Sequence, residues 1–222
     1  MGNHQGEFYF MEQFENLKTN YNRTADNFLN ELCKTKEIVA AITDKDLVCE
    51  PIIITSEELI SVDSENVEKS LVNRLESLGN KKNCIYIFEL ENENNIEAVK
   101  NKFKQKKDEK DEKDKKDKKE QKFPYNLPKN NKVENSNVLY VGSKKDELQK
   151  RLYQHLGINL GNQNGSTYAL YLSKWWQKDF PNVKITAYSL QENVSYTQLV
   201  FIEDCFSEML NPLFGKKGSN SK

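Results

Sequence analysis

Long apolar runs, paired cysteines and a secretion signal are all missing from this sequence. No stretch of about 18 apolar residues occurs, which excludes a membrane-spanning helix and argues against a membrane partner. The first residues, Met-Gly-Asn-His-Gln-Gly, contain no apolar segment and do not resemble a secretory signal. The four cysteines form neither a C-x-x-C pair nor a zinc-binding spacing. We therefore expect a cytoplasmic chain without disulfides.

Charged side chains are abundant, but the two signs are segregated along the chain. The 222 residues include 33 basic and 34 acidic side chains, so the net charge is -1. Residues 1–97 carry 9 basic and 19 acidic groups, residues 98–137 carry 14 and 8, and residues 138–222 carry 10 and 7. Such asymmetry is found in nucleic-acid-binding proteins, but one lysine-rich segment accounts for much of the basic excess. Charge alone therefore leaves a nucleic-acid face and a merely solvated segment as open alternatives.

The lysine-rich segment, Lys104–Lys122, contains no apolar residue and no periodicity. It has too little apolar surface to offset the entropy lost on ordering, which predicts disorder or at most a solvated helix. The following stretch, Asn126–Asn137, is rich in asparagine and lysine and contains Pro128. We interpret residues 91–136 as a low-complexity, disordered charged insertion.

Apolar spacing in the rest of the chain predicts alternating helices and strands. The predicted helices span Glu12–Leu32, Ser64–Leu78, 145–156, Ser166–Lys178 and Ser195–Leu210, and the predicted strands span Pro51–Thr55, Cys84–Leu90, Asn137–Gly142 and Val183–Leu190. The fold class is α/β (α+β), a small mixed core of about three strands flanked by helices. Residues 1–80 are predicted to form a mainly helical N-terminal extension, and residues 81–222 the domain that the insertion interrupts.

A few polar residues occur where their chemistry needs an explanation. Glu203 lies in the apolar stripe of the last helix, where a carboxylate must be ion-paired, hydrogen-bonded or bound to a cation. Arg151 and His155 are neighbours on one helix face, and such a pair can bind a phosphate group. Tyr86 and Tyr140 occur in adjacent predicted strands, where tyrosine is more often packing than catalyst. Taken singly, each of these residues is also consistent with a structural role.

The order of these residues is more specific than any of them alone. Cys84-Ile-Tyr86 is followed by Tyr140-Val-Gly142, and the stretch YVGSKKDELQKRLYQHL leads into the helix with Arg151 and His155. With the later glutamate, this series closely resembles the GIY-YIG nuclease family. The resemblance covers residues 83–90 and 137–215, which is less than half of the chain.

The resemblance implies a role for each of the five residues. Tyr86 matches the tyrosine that acts as general base on the attacking water, and Tyr140 matches the one that helps position that water and the phosphate. Arg151 would stabilise charge on the phosphorane, and His155 would contact the phosphate or assist proton transfer. Glu203 would hold one Mg²⁺ or Mn²⁺ ion, which neutralises the leaving oxygen.

The sequence departs from the family pattern at three points. Cys84 replaces the first motif glycine, and the gap between the two motif tyrosines is longer than usual because of the insertion. Twelve residues after Glu203 the family commonly has an asparagine that contacts or braces the phosphate site, and this chain has Gly215. Two nearby asparagines are candidate substitutes for it: Asn211 and Asn220.

The resemblance therefore implies a divalent-metal-dependent DNA endonuclease, of restriction or phage-defence type because no recognition module follows the core. The alternative is a catalytically inactive GIY-YIG-like nucleic-acid-binding or scaffold module, which the departures and the acidic N-terminal half favour. A palindromic target would call for a homodimer. The candidate DNA contacts are basic side chains around the core and in the tail: Lys144, Lys145, Lys150, Lys216 and Lys217.

Overall fold

The computed structural model describes residues 23, 26, 27, 30, 33–62, 69–79, 81–116, 126–158, 168–190 and 192–215. The chain divides into two compact units, residues 1–42 and 43–222. In the first unit, the helix predicted over Glu12–Leu32 lies largely outside the described residues. The four residues described within it are helical, as are residues 33–41.

The second unit is built on a four-stranded antiparallel sheet with the order β1-β4-β2-β3. The strands are β1 (Ile52–Ile54), β2 (Cys84–Leu90), β3 (Val138–Lys144) and β4 (Val183–Ser189). Each coincides with a predicted strand, and β-branched side chains fill many of their buried positions. Because β1 comes from the predicted N-terminal extension, the sheet crosses the boundary proposed at residue 80.

The helices of this unit are α1 (Ser56–Ser61), α2 (Lys69–Glu76), α3 (Ile96–Lys116), α4 (Leu148–Leu156) and α5 (Tyr196–Leu210). The helices predicted over 145–156 and Ser195–Leu210 are confirmed, and α5 begins with a capping box formed by Ser195 and Gln198. The helix predicted over Ser64–Leu78 is confirmed as the shorter α2, with residues 63–68 outside the described ranges. Among the described helices, none is long and apolar enough to cross a bilayer.

Alternation along the strands separates the two faces of the sheet. Tyr86 and Phe88 of β2 belong to the main core, which α4 also joins. Ile87 of β2 lies on the opposite face and packs in a smaller cluster with Phe206 and Leu210 of α5. Helices α4 and α5 therefore lie on opposite faces of the central strands.

The prediction of a disordered insertion was wrong for the residues that the structure describes. Helix α3 occupies Ile96–Lys116 and begins before the lysine-rich segment does. Val99 and Phe103 of α3 are fully buried, and the Phe103 ring packs against those of Trp175 and Phe214. The two apolar residues at the start of α3 anchor it to the core, and the lysine-rich segment continues α3 as far as residue 116, so that a helix, the other alternative, is found there.

The helix predicted over Ser166–Lys178 is also wrong for its described part, residues 168–178. This segment is irregular apart from one 3₁₀ turn, Leu172–Lys174, and Tyr171 has a left-handed backbone with φ of 48°. Trp175 and Trp176 are buried. The indole N–H of Trp175 donates to the Leu170 carbonyl, and that of Trp176 donates to the Ser56 hydroxyl. The apolar side chains that suggested a helix satisfy the core without helical geometry.

The insertion returns to the core through residues 126–131, which we call the return segment. Asn130 pairs with Phe214 in an antiparallel bridge, and the Gly215 N–H donates to the Lys129 carbonyl at 2.9 Å. Residues 213–214 in turn donate to the carbonyls of Val138 and Leu139 on β3. The start of the outer edge of β3 is thereby covered by residues 213–215, and these residues are covered in turn by the return segment.

Candidate active site

The two motif tyrosines project from neighbouring strands into the main core. Tyr86 of β2 lies directly opposite Gly142 of β3, so that the missing side chain at 142 makes room for the phenol. A Cβ at position 142 would lie 2.4 Å from the Tyr86 hydroxyl and 2.8 Å from Cε1 of Tyr140. The two rings are stacked, with centroids 6.3 Å apart and planes 17° apart. Tyr86 is 1% exposed, whereas Tyr140 is half-buried.

His155, from the last turn of α4, is fully buried behind these rings. The Leu170 N–H donates to its Nδ1 at 3.2 Å, so that nitrogen carries no proton. Burial, assisted by the Arg151 charge, lowers the pKa of His155 well below 6.5, so the imidazole is neutral at physiological pH. Its remaining proton is on Nε2, which lies 3.2 Å from the Tyr86 hydroxyl and donates to it. The structure therefore places His155 against Tyr86, and the alternative of direct phosphate contact is not favoured.

Arg151, one helical turn before His155, is held on several sides. Its Nε donates to the Tyr86 hydroxyl at 3.0 Å, and Nη1 donates to Oε1 of Gln154 at 3.0 Å. Nη2 donates to the Tyr168 carbonyl at 2.6 Å. Burial lowers the pKa of Arg151, but the phenolic oxygens of the two tyrosines raise it by a larger amount. The net shift of the pKa is therefore upward, and the guanidinium stays charged. The arginine is therefore a fixed positive charge beside both tyrosines.

Glu203 approaches the same region from α5. One of its carboxylate oxygens accepts a hydrogen bond from the Ser143 hydroxyl, on the residue that follows Gly142 in β3. Burial raises the pKa of Glu203 above its ordinary 4.5, the Ser143 hydrogen bond lowers it, and the net shift is upward. The expected alternatives for this carboxylate included a structural ion pair, and its closest partner is instead a neutral hydroxyl.

The pKa values of both tyrosines are shifted by burial and by the charges of Arg151 and Glu203. Burial raises the pKa of Tyr86 above its ordinary value of 10.0, and the Arg151 charge opposes that rise. The pKa of Tyr140 is raised for the same reason, and the Glu203 charge raises it further. The phenolate of either residue therefore needs additional positive charge nearby. The structure thus brings together side chains that are far apart in the sequence.

A divalent cation fits the donor set at Glu203. Within the described ranges, no group of three His, Cys, Asp or Glu side chains is placed to hold a metal ion. Mg²⁺, however, commonly binds proteins through only one or two carboxylates and takes its other ligands from water and substrate phosphate. The half-buried Glu203 carboxylate, hydrogen-bonded through one oxygen to Ser143, matches that mode of binding.

The residue in place of the family asparagine lies against the site. Gly215 has φ of 121°, and a Cβ there would lie 3.2 Å from the Tyr140 ring, so an asparagine would be strained in this conformation. Asn211 is exposed and ends α5 with a left-handed backbone. Asn220 lies outside the described residues. Neither of the suggested substitutes is thus placed at the site by the structure.

The candidate DNA-contacting lysines follow β3 and begin α4. Lys145 and Lys150 are exposed and Lys144 is half-buried, and Lys150 forms a surface ion pair with Glu147. Lys216 and Lys217 lie outside the described residues. Basic side chains thus flank the β3–α4 connection, which leads directly from one motif tyrosine to Arg151.

The sequence-based analysis missed several residues that complete the site. Ser143 holds Glu203, Gln154 and the Tyr168 carbonyl hold Arg151, and the Leu170 N–H fixes the tautomer of His155. Ser143 and Gln154 lie inside the motif stretch, and this position was the available signal that they belong to the site. The contacts made by backbone atoms of residues 168–170 could not be predicted from the sequence, because they do not depend on which side chains these residues carry.

Comparisons with protein-family models, with curated proteins and with solved structures each found no match for this chain. The likeness to the GIY-YIG nuclease family therefore rests on the motif residues and stays a prediction.

Proposed function

We propose that this protein is a divalent-metal-dependent endonuclease that hydrolyses phosphodiester bonds in DNA by GIY-YIG-like chemistry. One observation carries the proposal. The Tyr86 hydroxyl accepts hydrogen bonds from Arg151 and from neutral His155, beside Tyr140 and within the electrostatic reach of Glu203. A tyrosine needed only for packing would not require a half-buried cation and an oriented imidazole hydrogen-bonded to its oxygen.

The chain's own groups suit an attack of water on a phosphate. Because the Tyr86 oxygen accepts from two donors, its own proton is directed elsewhere, and both donors favour the phenolate that can take a proton from water. Arg151, fixed by its hydrogen bonds, supplies a preorganised positive charge for the equatorial phosphate oxygens. His155 orients Tyr86 rather than touching the substrate.

A metal ion at Glu203 would supply the rest of the positive charge. Such an ion, when bound, stabilises the leaving oxygen and lowers the pKa of nearby acidic groups. That contribution matters here because burial raises the pKa of Tyr86. The same raised pKa, with Gly215 in the asparagine position, is what favours the alternative of a catalytically inactive nucleic-acid-binding module.

The narrower proposal of a restriction or phage-defence nuclease follows from how the core is extended. The predicted N-terminal extension contributes β1 to the sheet, and the insertion packs α3 against the core. Additions of this kind enlarge the core itself, as they do in restriction-type members of the family that the chain resembles.

Plasmid cleavage by matched variants tests the proposal. Supercoiled plasmid is incubated with Mg²⁺ or Mn²⁺ and wild type, Glu203→Gln or Tyr86→Phe. Glu208→Gln, an exposed glutamate of the same helix, and Tyr188→Phe, a tyrosine of β4, are the controls. We expect nicking by wild type and both controls, and a loss of about 10²–10⁴-fold in Tyr86→Phe, the range of a general base.

The outcome separates the enzyme from the inactive module. Absence of cleavage on plasmid, single-stranded DNA and RNA, with DNA binding retained, would refute the nuclease and support the binding module. Cleavage that survives in both Tyr86→Phe and Glu203→Gln would show that a contaminant or another site is responsible. Circular dichroism of each variant confirms that the fold is intact.

A further inference from the structure

Tyr168 is an exposed aromatic residue whose backbone belongs to the candidate site. Its side chain is 56% exposed, whereas the next three residues, Ala169, Leu170 and Tyr171, are fully buried. The described part of the chain contains four exposed large apolar side chains, and the others are Ile60, Tyr196 and Met209. Isolated exposed apolar residues are common, so exposure by itself explains nothing. The position of Tyr168 is what sets it apart.

The backbone around Tyr168 is fixed by three hydrogen bonds. The Tyr168 carbonyl accepts from Nη2 of Arg151, and the N–H two residues later donates to His155. The Ala169 N–H donates to the Asn126 carbonyl of the return segment at 3.1 Å, in a bridge between Asn126 and Tyr168. The backbone that carries the ring is thus held in place, and its own carbonyl binds the guanidinium of Arg151.

The surroundings identify the kind of ligand. The side chain that binds the Tyr168 carbonyl is the cation Arg151, and the exposed Lys150 immediately precedes Arg151 in α4. An aromatic ring beside a cationic, phosphate-binding group is how proteins bind single-stranded nucleic acid, where the base stacks on the ring while the cation binds the backbone. A protein partner would instead call for a contiguous apolar patch. A base within an intact duplex is already stacked on its neighbours and cannot use the ring.

We propose that Tyr168 stacks on an unpaired base next to the phosphate that Arg151 binds, so that the preferred substrate is DNA with a single-stranded nucleotide at the cleavage position. This inference rests on the proposed function for the identity of the scissile phosphate. It adds a substrate class, namely single-stranded, flapped or distorted DNA, to the nuclease activity.

Binding measurements test the stacking separately from cleavage. Fluorescence anisotropy gives the Kd for a labelled single strand and for the same sequence as a blunt duplex, at one fixed salt concentration and without divalent metal. Tyr168→Ala removes the ring, Tyr168→Phe keeps it, and Tyr196→Ala removes a similarly exposed tyrosine at the start of α5. We expect Tyr168→Ala to weaken single-strand binding by about 5- to 150-fold, and Tyr168→Phe and Tyr196→Ala to bind as wild type does.

A spectroscopic measurement reports the stacking directly. A single strand with one 2-aminopurine should lose fluorescence on binding to wild type and to Tyr168→Phe, and should lose less on binding to Tyr168→Ala. Equal losses of affinity for duplex and single strand in Tyr168→Ala, unchanged affinity in that variant, or no binding of DNA at all would overturn the stacking. Intact discrimination by Tyr168 in a protein that never cleaves would overturn the nuclease alone.

Discussion

The tightest steric constraint at the site is the space left by Gly142, and filling it is the sharpest test of the geometry. In Gly142→Ala the new Cβ lies 2.4 Å from the Tyr86 hydroxyl, whereas ordinary contact begins near 3.4 Å, so that oxygen must move by about 1 Å. Its hydrogen bonds to Arg151 and His155 measure 3.0 and 3.2 Å. A shift of that size leaves neither in its present geometry.

The cost follows from two terms. Overpacking of a close-packed core costs about 1–3 kcal/mol, and the loss of a hydrogen bond adds about 1 kcal/mol. We therefore expect Gly142→Ala to lower the free energy of unfolding by about 2–4 kcal/mol, which for a domain of this size lowers Tm by about 4–16 °C. Under the proposed function, misplacement of the Tyr86 oxygen by about 1 Å should also reduce plasmid nicking by about 10²-fold in the folded protein.

Urea unfolding followed by circular dichroism measures the stability, and nicking is measured well below the lower Tm. The matched control is Gly79→Ala, because a Cβ at Gly79 has nothing within 4 Å but must adopt φ of 60°. That variant should lose about 1 kcal/mol of stability and keep its activity. The reasoning is refuted if the stability of Gly142→Ala matches that of wild type to within about 0.5 kcal/mol, the usual range of a neutral substitution. Equal losses of activity in the two variants would refute it as well.

The remaining predictions concern buried residues outside the strands. His155 stays neutral in the folded protein at a pH where the histidine of the unfolded chain becomes protonated. As the pH falls from about 6.5 to 5.5, the free energy of unfolding should therefore fall by about 1 kcal/mol. Urea unfolding measured at several pH values should show that His155→Gln lacks this part of the pH dependence. The same pH dependence in wild type and in His155→Gln would contradict the prediction. Phe103→Ala should cost about 3–5 kcal/mol because its ring packs on Trp175 and Phe214, whereas exposed Lys104→Ala should cost less than about 0.5 kcal/mol. Similar losses in these two variants, measured by thermal unfolding, would mean that α3 is not anchored to the core.

Local sequence patterns were sufficient for the parts of the fold that local physics determines. Apolar spacing predicted β1 and β2 as strands, and it predicted helices where α4 and α5 are found. The candidate site was implied by the resemblance of its motif residues, in their order, to the GIY-YIG family.

The parts that sequence reasoning could not predict depend on contacts between distant residues. The sequence of helix α3 is so polar that it predicts disorder. The helix is ordered because the Phe103 ring packs against the rings of Trp175 and Phe214, which are distant in the sequence. The irregular segment after residue 168 shows helical spacing, but its backbone is committed to His155 and Arg151. Tertiary contacts of this kind override local propensity.

The covered edge of β3 has a consequence for how the chain must be made. Residues 213–215 lie between β3 and the return segment, and Gly215 also lies against the Tyr140 ring. During synthesis, a nascent chain that has not yet reached residue 213 presents the free backbone of β3, with the hydrophobic strand behind it, as a template for pairing with other chains. The last described residues of the sequence therefore shield the start of this strand edge from pairing with other chains, and they also complete the wall of the candidate site beside Tyr140.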